Sequence, residues 1–170
     1  MNVDVLDESG ADGDVDVVAL TQLCRFVMRR MRLHPATEVT LRLVDMPTIT
    51  VLNEKWMGSK GPTDVLSFPM LEPNSFHRTG PADAMPRPRS MRAPLHRRQR
   101  THVGDIAISV ERAAEQAIDG RGGQTGDVRW SVADEVRLLV THGTLHLCGW
   151  DHAEPAEEAA MRALEQDLLG

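Results

Sequence analysis

Three of the chain's seven histidines fall within the eleven residues HGTLHLCGWDH, positions 142–152. His142 and His146 are four apart. On an α-helix that spacing puts both side chains on one face, with a rise of about 6 Å between them. Gly149 follows three residues after His146, and glycine suits a helix end where the backbone turns left-handed. A chain that doubles back there brings His152 toward the same point. Three neutral imidazoles suit zinc, nickel or iron(II). Three protein ligands also leave a position open for water, which marks a catalytic rather than a structural metal site.

The spacing His-x3-His-x2-Gly-x2-His is shared with metzincin metalloproteases, whose general base is a glutamate directly after the first histidine. Here that position holds Gly143. Glycine cannot take a proton, so peptide hydrolysis is disfavoured. What remains is a metal that lowers the pKa of its water or polarises a phosphoryl oxygen. Asp151, beside the third ligand, reads as an acceptor for an imidazole N–H, as a group that helps position water, or as a turn residue capping the next helix. Glu135, two turns before His142, reads as solvent-exposed or paired at the surface.

The elements that must position this cluster follow from periodicity. VDVLDES (3–9), EVTLRLVD (38–45), TDVLSF (63–68) and VGDIAISV (103–110) read as strands. Residues 15–33 have helical spacing at Val18, Leu23, Phe26, Val27 and Met31. Residues 46–57 form a second helix, with Pro47 tolerated in its first turn. ERAAEQAI (111–118) is a third, and residues 131–148 a central helix with Ser131 and Asp134 as a capping pair. Residues 154–169 form a last helix, acidic in its first turn as the macrodipole favours. The expected arrangement is one domain over 1–170, with one sheet of about four strands, about five helices packed on it, and the metal site on the central helix.

The chain has 170 residues, 41% hydrophobic and 26% charged, which is ordinary for a soluble globular protein. It shows no run long and apolar enough for a membrane span, and the acidic N-terminus does not read as a signal peptide. Cys24 and Cys148 are too isolated for a disulfide framework, so a reducing cytoplasm is expected. The net charge of −6 conceals an asymmetry. Residues 77–102 hold seven arginines and one acid, so this segment is +6 and the remainder −12. The surrounding stretch, about 71–102, contains five prolines and no clear period, and reads as a basic insertion.

GPTDVLSFP (61–69), GDIAIS (104–109) and HGTLHLCGWDH, in this order, resemble the YbeY family of bacterial endoribonucleases, the rRNA maturation factors. The family signature is similar to His-Gly-x-Leu-His-Leu-x-Gly-aromatic-Asp-His, with Trp150 as the aromatic, and Leu52, Asn53 and Pro62–Pro69 match a second pattern. The resemblance covers roughly residues 39–70 and 103–169. It implies an α+β fold, a mixed sheet of about four strands with helices around a cleft, and one metal per chain, usually taken as zinc, on His142, His146 and His152. It also implies metal-dependent cleavage of single-stranded RNA, with roles in 16S rRNA 3′-end maturation and ribosome quality control. Implied partners are the small ribosomal subunit, its proteins and an Era-type GTPase.

One position departs from the pattern. Many members carry an arginine, thought to contribute to catalysis, where this chain has Met57. Lys55, Lys60 or an arginine of the basic arm are the candidates to replace it, beside His142 and Asp151 as catalytic residues, though lysine offers a point charge where arginine offers a fork. Arg87, Arg89, Arg92, Arg97, Arg98 and Arg100, with Arg78, are the expected RNA contacts of the basic arm. Two other readings stay open: a metallohydrolase of another substrate, and a non-catalytic ribosome assembly factor whose metal is structural.

Overall fold

Alternation of apolar residues sets the strands, and their partners set the sheet. In the computed structural model, which describes residues 1–10, 15–71, 76–77, 87–88, 100–118 and 130–170, β1 (Asn2–Glu8) pairs in parallel with β2 (Thr37–Val44). A helix, α1 (Val17–Arg30), connects them. The helix α2 (Met46–Met57) leads to β3 (Val65–Pro69). Two short pieces, β4 (Phe76–His77) and β5 (Arg87–Pro88), pair antiparallel in a ladder of their own. The strand β6 (Thr101–Ser109) inserts between β2 and β3, parallel to the first and antiparallel to the second, giving the order β1-β2-β6-β3. The helices α3 (Val110–Ile118), α4 (Val132–Leu147) and α5 (Pro155–Leu169) complete the chain. The architecture is therefore a single α+β domain with one mixed four-stranded sheet and five helices among the described residues.

The two faces of the sheet are covered unequally. Leu41 and Leu43 of β2 and Ile106 and Ile108 of β6 face a large core that includes Leu20, Cys24, Val27 and Met28 of α1 and Val136, Leu139, Val140 and Leu147 of α4. Their neighbours in the period-two pattern, Val44 and Ala107, face the other way with Leu66. There they meet Ile49, and Leu52 and Phe68 pack at the margin. The helix α2 thus covers one face, and α4 lies in the core of the other.

Helix ends follow side-chain chemistry. Asp16 and Asp45 accept hydrogen bonds from the backbone N–H groups of Ala19 and Thr48. Ser131 and Asp134 form a reciprocal capping box, which fixes where α4 starts.

Three sequence expectations need correction. Val18 and Phe26 are 65% and 42% exposed, because the buried stripe of α1 is Leu20, Cys24, Val27 and Met28. Glu135 is not at the surface: it is 2% exposed and accepts a hydrogen bond from Trp130 Nε1 at 2.5 Å. Trp130 precedes the helix, so helical spacing cannot reveal that it covers this carboxylate. The basic insertion is also shorter than 71–102 at its far end, since Thr101 and His102 pair with Thr37 and Glu38 inside the main sheet.

Gly143 shows how closely α4 approaches the sheet. A Cβ there would stand 2.7 Å from Ile106 Cγ2 and 3.1 Å from Ser67 Oγ, and the Ser67 hydroxyl donates to the Gly143 carbonyl at 3.3 Å. Even a Cβ at this position would force Ile106 to shift, so the missing glutamate has a packing reason. Gly143→Ala gains at most about 1 kcal/mol of helix propensity against about 1–3 kcal/mol of overpacking. The expected result is a net loss of stability, read as a lower urea midpoint.

Candidate metal centre

The helix α4 ends in a turn that the sequence encodes residue by residue. Gly149 adopts φ 85°, its N–H reaches the His146 carbonyl at 3.0 Å, and the Trp150 N–H reaches the Leu145 carbonyl at 3.1 Å. This is a Schellman motif, closed by two buried side chains, Trp150 and Leu145. The chain leaves the helix on the side of His142 and His146, and three residues after Gly149 His152 joins them.

One potential ligand atom from each of the three histidines lies within 4.8 Å of the others. The ring centroids of His142 and His152 are 5.4 Å apart and those of His146 and His152 5.0 Å. His142 and His146 are half-buried and His152 is exposed, so the cluster opens to solvent on one side.

Hydrogen bonds on the far side of two rings decide which nitrogen is available. His146 Nδ1 lies 2.9 Å from the Trp150 carbonyl oxygen. A carbonyl accepts and never donates, so Nδ1 carries the proton and Nε2 the lone pair. His142 Nδ1 likewise donates to Glu165 Oε1 at 2.7 Å. The two Nε2 atoms then face each other at 3.0 Å. Rings held this way present two lone pairs to one point, an arrangement suited to a cation. A proton serves two nitrogens. The third imidazole makes the place suited to a metal ion, whose tetrahedral ligands at about 2.0–2.1 Å sit roughly 3.3 Å apart. The residues present fit a metal.

Burial, and next the neighbouring His142, pull the His146 imidazole down from the ordinary 6.5 to about 4. The ring is therefore neutral and ready to ligate at neutral pH. The unfolded chain takes up this proton at higher pH than the folded one, so the associated stability is complete above about 6.5 and is lost as the pH falls toward 4. Allowing for solvent screening, the loss is roughly 2 kcal/mol. Urea midpoints of metal-free protein should fall between pH 7 and 4.5, and fall less in His146→Ala.

The other expected site residues are placed differently. The Asp151 carboxylate accepts from the His152 backbone N–H at 2.8 Å, a contact within the turn, while the N-cap of α5 is Glu154, with no side-chain cap hydrogen bond, so Asp151 does not cap that helix. Lys55 Nζ lies 5.1 Å from the Trp56 ring centre, and Trp56 meets Phe68 edge to face at 6.2 Å, on the α2 side of the sheet. Lys60 is exposed in the loop after α2, which Asn53 Nδ2 holds through the carbonyls of Ser59 and Gly61 at 3.4 and 2.9 Å. Met57 is 50% exposed. Arg100 pairs with Glu38 at 2.7 Å. The backbone of Arg87 lies in β5, and Arg78, Arg89, Arg92, Arg97 and Arg98 fall outside the described residues.

The TDVLSFP stretch braces the sheet edge. Burial pushes the Asp64 carboxyl up, but hydrogen bonds from Gln116, Val65 and Thr63 outweigh it and hold the group below the usual carboxylate range.

Sequence reasoning missed Glu165. Its side chain is 12% exposed, and it shares the inner face of α5 with the buried Met161 and Leu168 and the half-buried Leu164. A carboxylate in an apolar stripe was the available signal.

The profile described as Endoribonuclease YbeY matches residues 11–170. The chain belongs to this family. Among relatives named "Endoribonuclease YbeY", that of Nocardioides sp. is 40% identical over 99% of this chain and 96% of its own length. Those of Salinispora tropica and Acidothermus cellulolyticus are 38% and 41% identical, over 99% of this chain and 94% and 90% of their own. The solution structure of TM1509 from Thermotoga maritima shares the fold, with a TM-score of 0.57 at 20% identity, covering 98% of this chain and 86% of its own. The family extends the likeness over the N-terminal region, where the motifs are least distinctive.

Proposed function

We propose that the protein is a zinc-dependent endoribonuclease that cleaves single-stranded RNA in the cytoplasm. It would serve in maturation of the 16S rRNA 3′ end and in ribosome quality control, with the small ribosomal subunit, its proteins and an Era-type GTPase as partners. One observation carries the reading: two imidazole lone pairs converge at 3.0 Å beside a third, exposed histidine, in a chain of this family.

His142, His146 and His152 would hold the ion, which when bound supplies Lewis acidity toward a phosphoryl oxygen and acidifies its water. The chain's own groups do the rest. Glu165 and the Trp150 carbonyl orient two imidazoles through their Nδ1–H groups. Exposed His152 leaves one side of the cluster open for a flexible single strand to enter. The basic arm adds sequence-independent attraction for phosphates.

The test is cleavage of a labelled single-stranded RNA by protein of defined metal content, with His146→Ala purified in parallel. Cutting by wild type alone supports the reading. Equal cutting by both is contaminating ribonuclease and refutes it. The termini then separate water from the RNA's own 2′-OH as nucleophile.

A further inference from the structure

A cavity of about 150 Å³ opens beside the histidines, lined by His142, His152, Glu158, Met161, Arg162 and Glu165. Its floor is Met161, 2% exposed. His142 and His152, from α4 and the turn after it, form one wall, and Glu158, Arg162 and Glu165 of α5 form the other. Of the two acids, Glu165 is engaged by His142 at 2.7 Å, and Glu158 by Arg162 Nη2 at 2.9 Å. Arg162 is the one guanidinium among the described lining residues, and neither Lys55 nor Lys60 lines the cavity.

We infer that Arg162 is the phosphate anchor of this site: it exchanges Glu158 for a phosphodiester of the bound RNA strand. The inference rests on the endoribonuclease reading and adds a binding residue to it. Helix geometry favours it. Arg162 lies three residues before Glu165 and four after Glu158, so all three side chains share one face of α5. The carboxylate that touches His142 is thus one turn from the guanidinium. The pair with Glu158 is no obstacle, because both side chains are 55% exposed, and such surface pairs hold weakly. A phosphodiester offers the same two-oxygen edge as a carboxylate, and arginine's fork binds either in parallel hydrogen bonds. Glu158 therefore keeps Arg162 in place until a phosphate arrives.

The experiment measures binding of a fluorescent oligouridylate to full-length protein in the His146→Ala background, which prevents cutting, across a salt series. Arg162→Gln should weaken binding about tenfold at low salt, and reduce the salt slope by about 0.7, the contribution of one phosphate on a single strand. Arg30→Gln is the matched control: Arg30 is also exposed and paired, with Asp167 at 2.7 Å, but does not line the cavity. Glu158→Gln should tighten binding a few-fold, and that gain should shrink when Arg162→Gln is added. Cleavage by the corresponding single variants keeps the two ideas apart. If wild type cuts RNA and Arg162→Gln binds and cuts as wild type does, the anchor is overturned and the nuclease reading stands. If wild type does not cut but Arg162→Gln still lowers affinity and slope, the nuclease reading falls and the anchor stands. Equal losses in Arg162→Gln and Arg30→Gln overturn the anchor, as does absence of RNA binding by every form.

Discussion

His146→Ala is expected to fold, to retain less than roughly a tenth of an equivalent of metal after dialysis, and to cut single-stranded RNA at least about a thousandfold more slowly than wild type. The fold survives because the ring is half-buried and contributes one hydrogen bond, from Nδ1–H to the Trp150 carbonyl. Leaving that carbonyl unpaired costs about 1–3 kcal/mol, against a typical domain stability of about 5–15 kcal/mol. The metal does not survive, because the ring supplies one of the two nitrogens that face each other at 3.0 Å. What is left is His142 and an exposed His152. Elemental analysis after dialysis, circular dichroism and RNA cleavage check the three parts separately. Full metal retention by the variant would sink the assigned ligand set. Loss of metal with unchanged cleavage would sink the metal's role in the reaction.

The histidine cluster was legible because its rules are local. A four-residue helical spacing and a helix-ending glycine act within eleven positions, and neither depends on what packs against them. The strands and helices were legible for the same reason. What escaped depends on contacts far apart in sequence. Glu165 reaches His142 across 23 residues, and no spacing rule connects them. Glu135 has the composition of a surface residue and becomes buried because Trp130 folds over it. Thr101 and His102 look like loop, but pairing with β2 extends the strand through them. On α1, several apolar stripes were compatible with the residues present. The sheet and α4 select the one through Leu20, Cys24, Val27 and Met28, which leaves Val18 and Phe26 outside.

Glu165→Ala is expected to weaken metal binding by about 10–100-fold, the usual effect of removing a carboxylate that orients a ligating histidine. The carboxylate fixes the proton on Nδ1 of His142 and so leaves Nε2 free for the ion. It also makes the imidazole a better donor by stabilising the positive charge that ligation draws onto the ring. Glu165→Gln separates these two effects. Its amide oxygen can still accept the Nδ1–H bond and keep the ring oriented, but it carries no charge, so its affinity should lie between wild type and alanine. Competition with a chromophoric chelator measures all three proteins, and thermal unfolding of the metal-free forms supplies the control. A purely structural Glu165 would lower the metal-free melting temperature and leave affinity unchanged. An orienting Glu165 does the reverse. The side chain is 12% exposed and stands among apolar neighbours on α5, where an unpaired carboxylate is costly. With the His142 Nδ1–H donating to it, that cost is offset by the same bond that leaves Nε2 free to ligate, so this carboxylate links the packing of α5 to the chemistry at the end of α4.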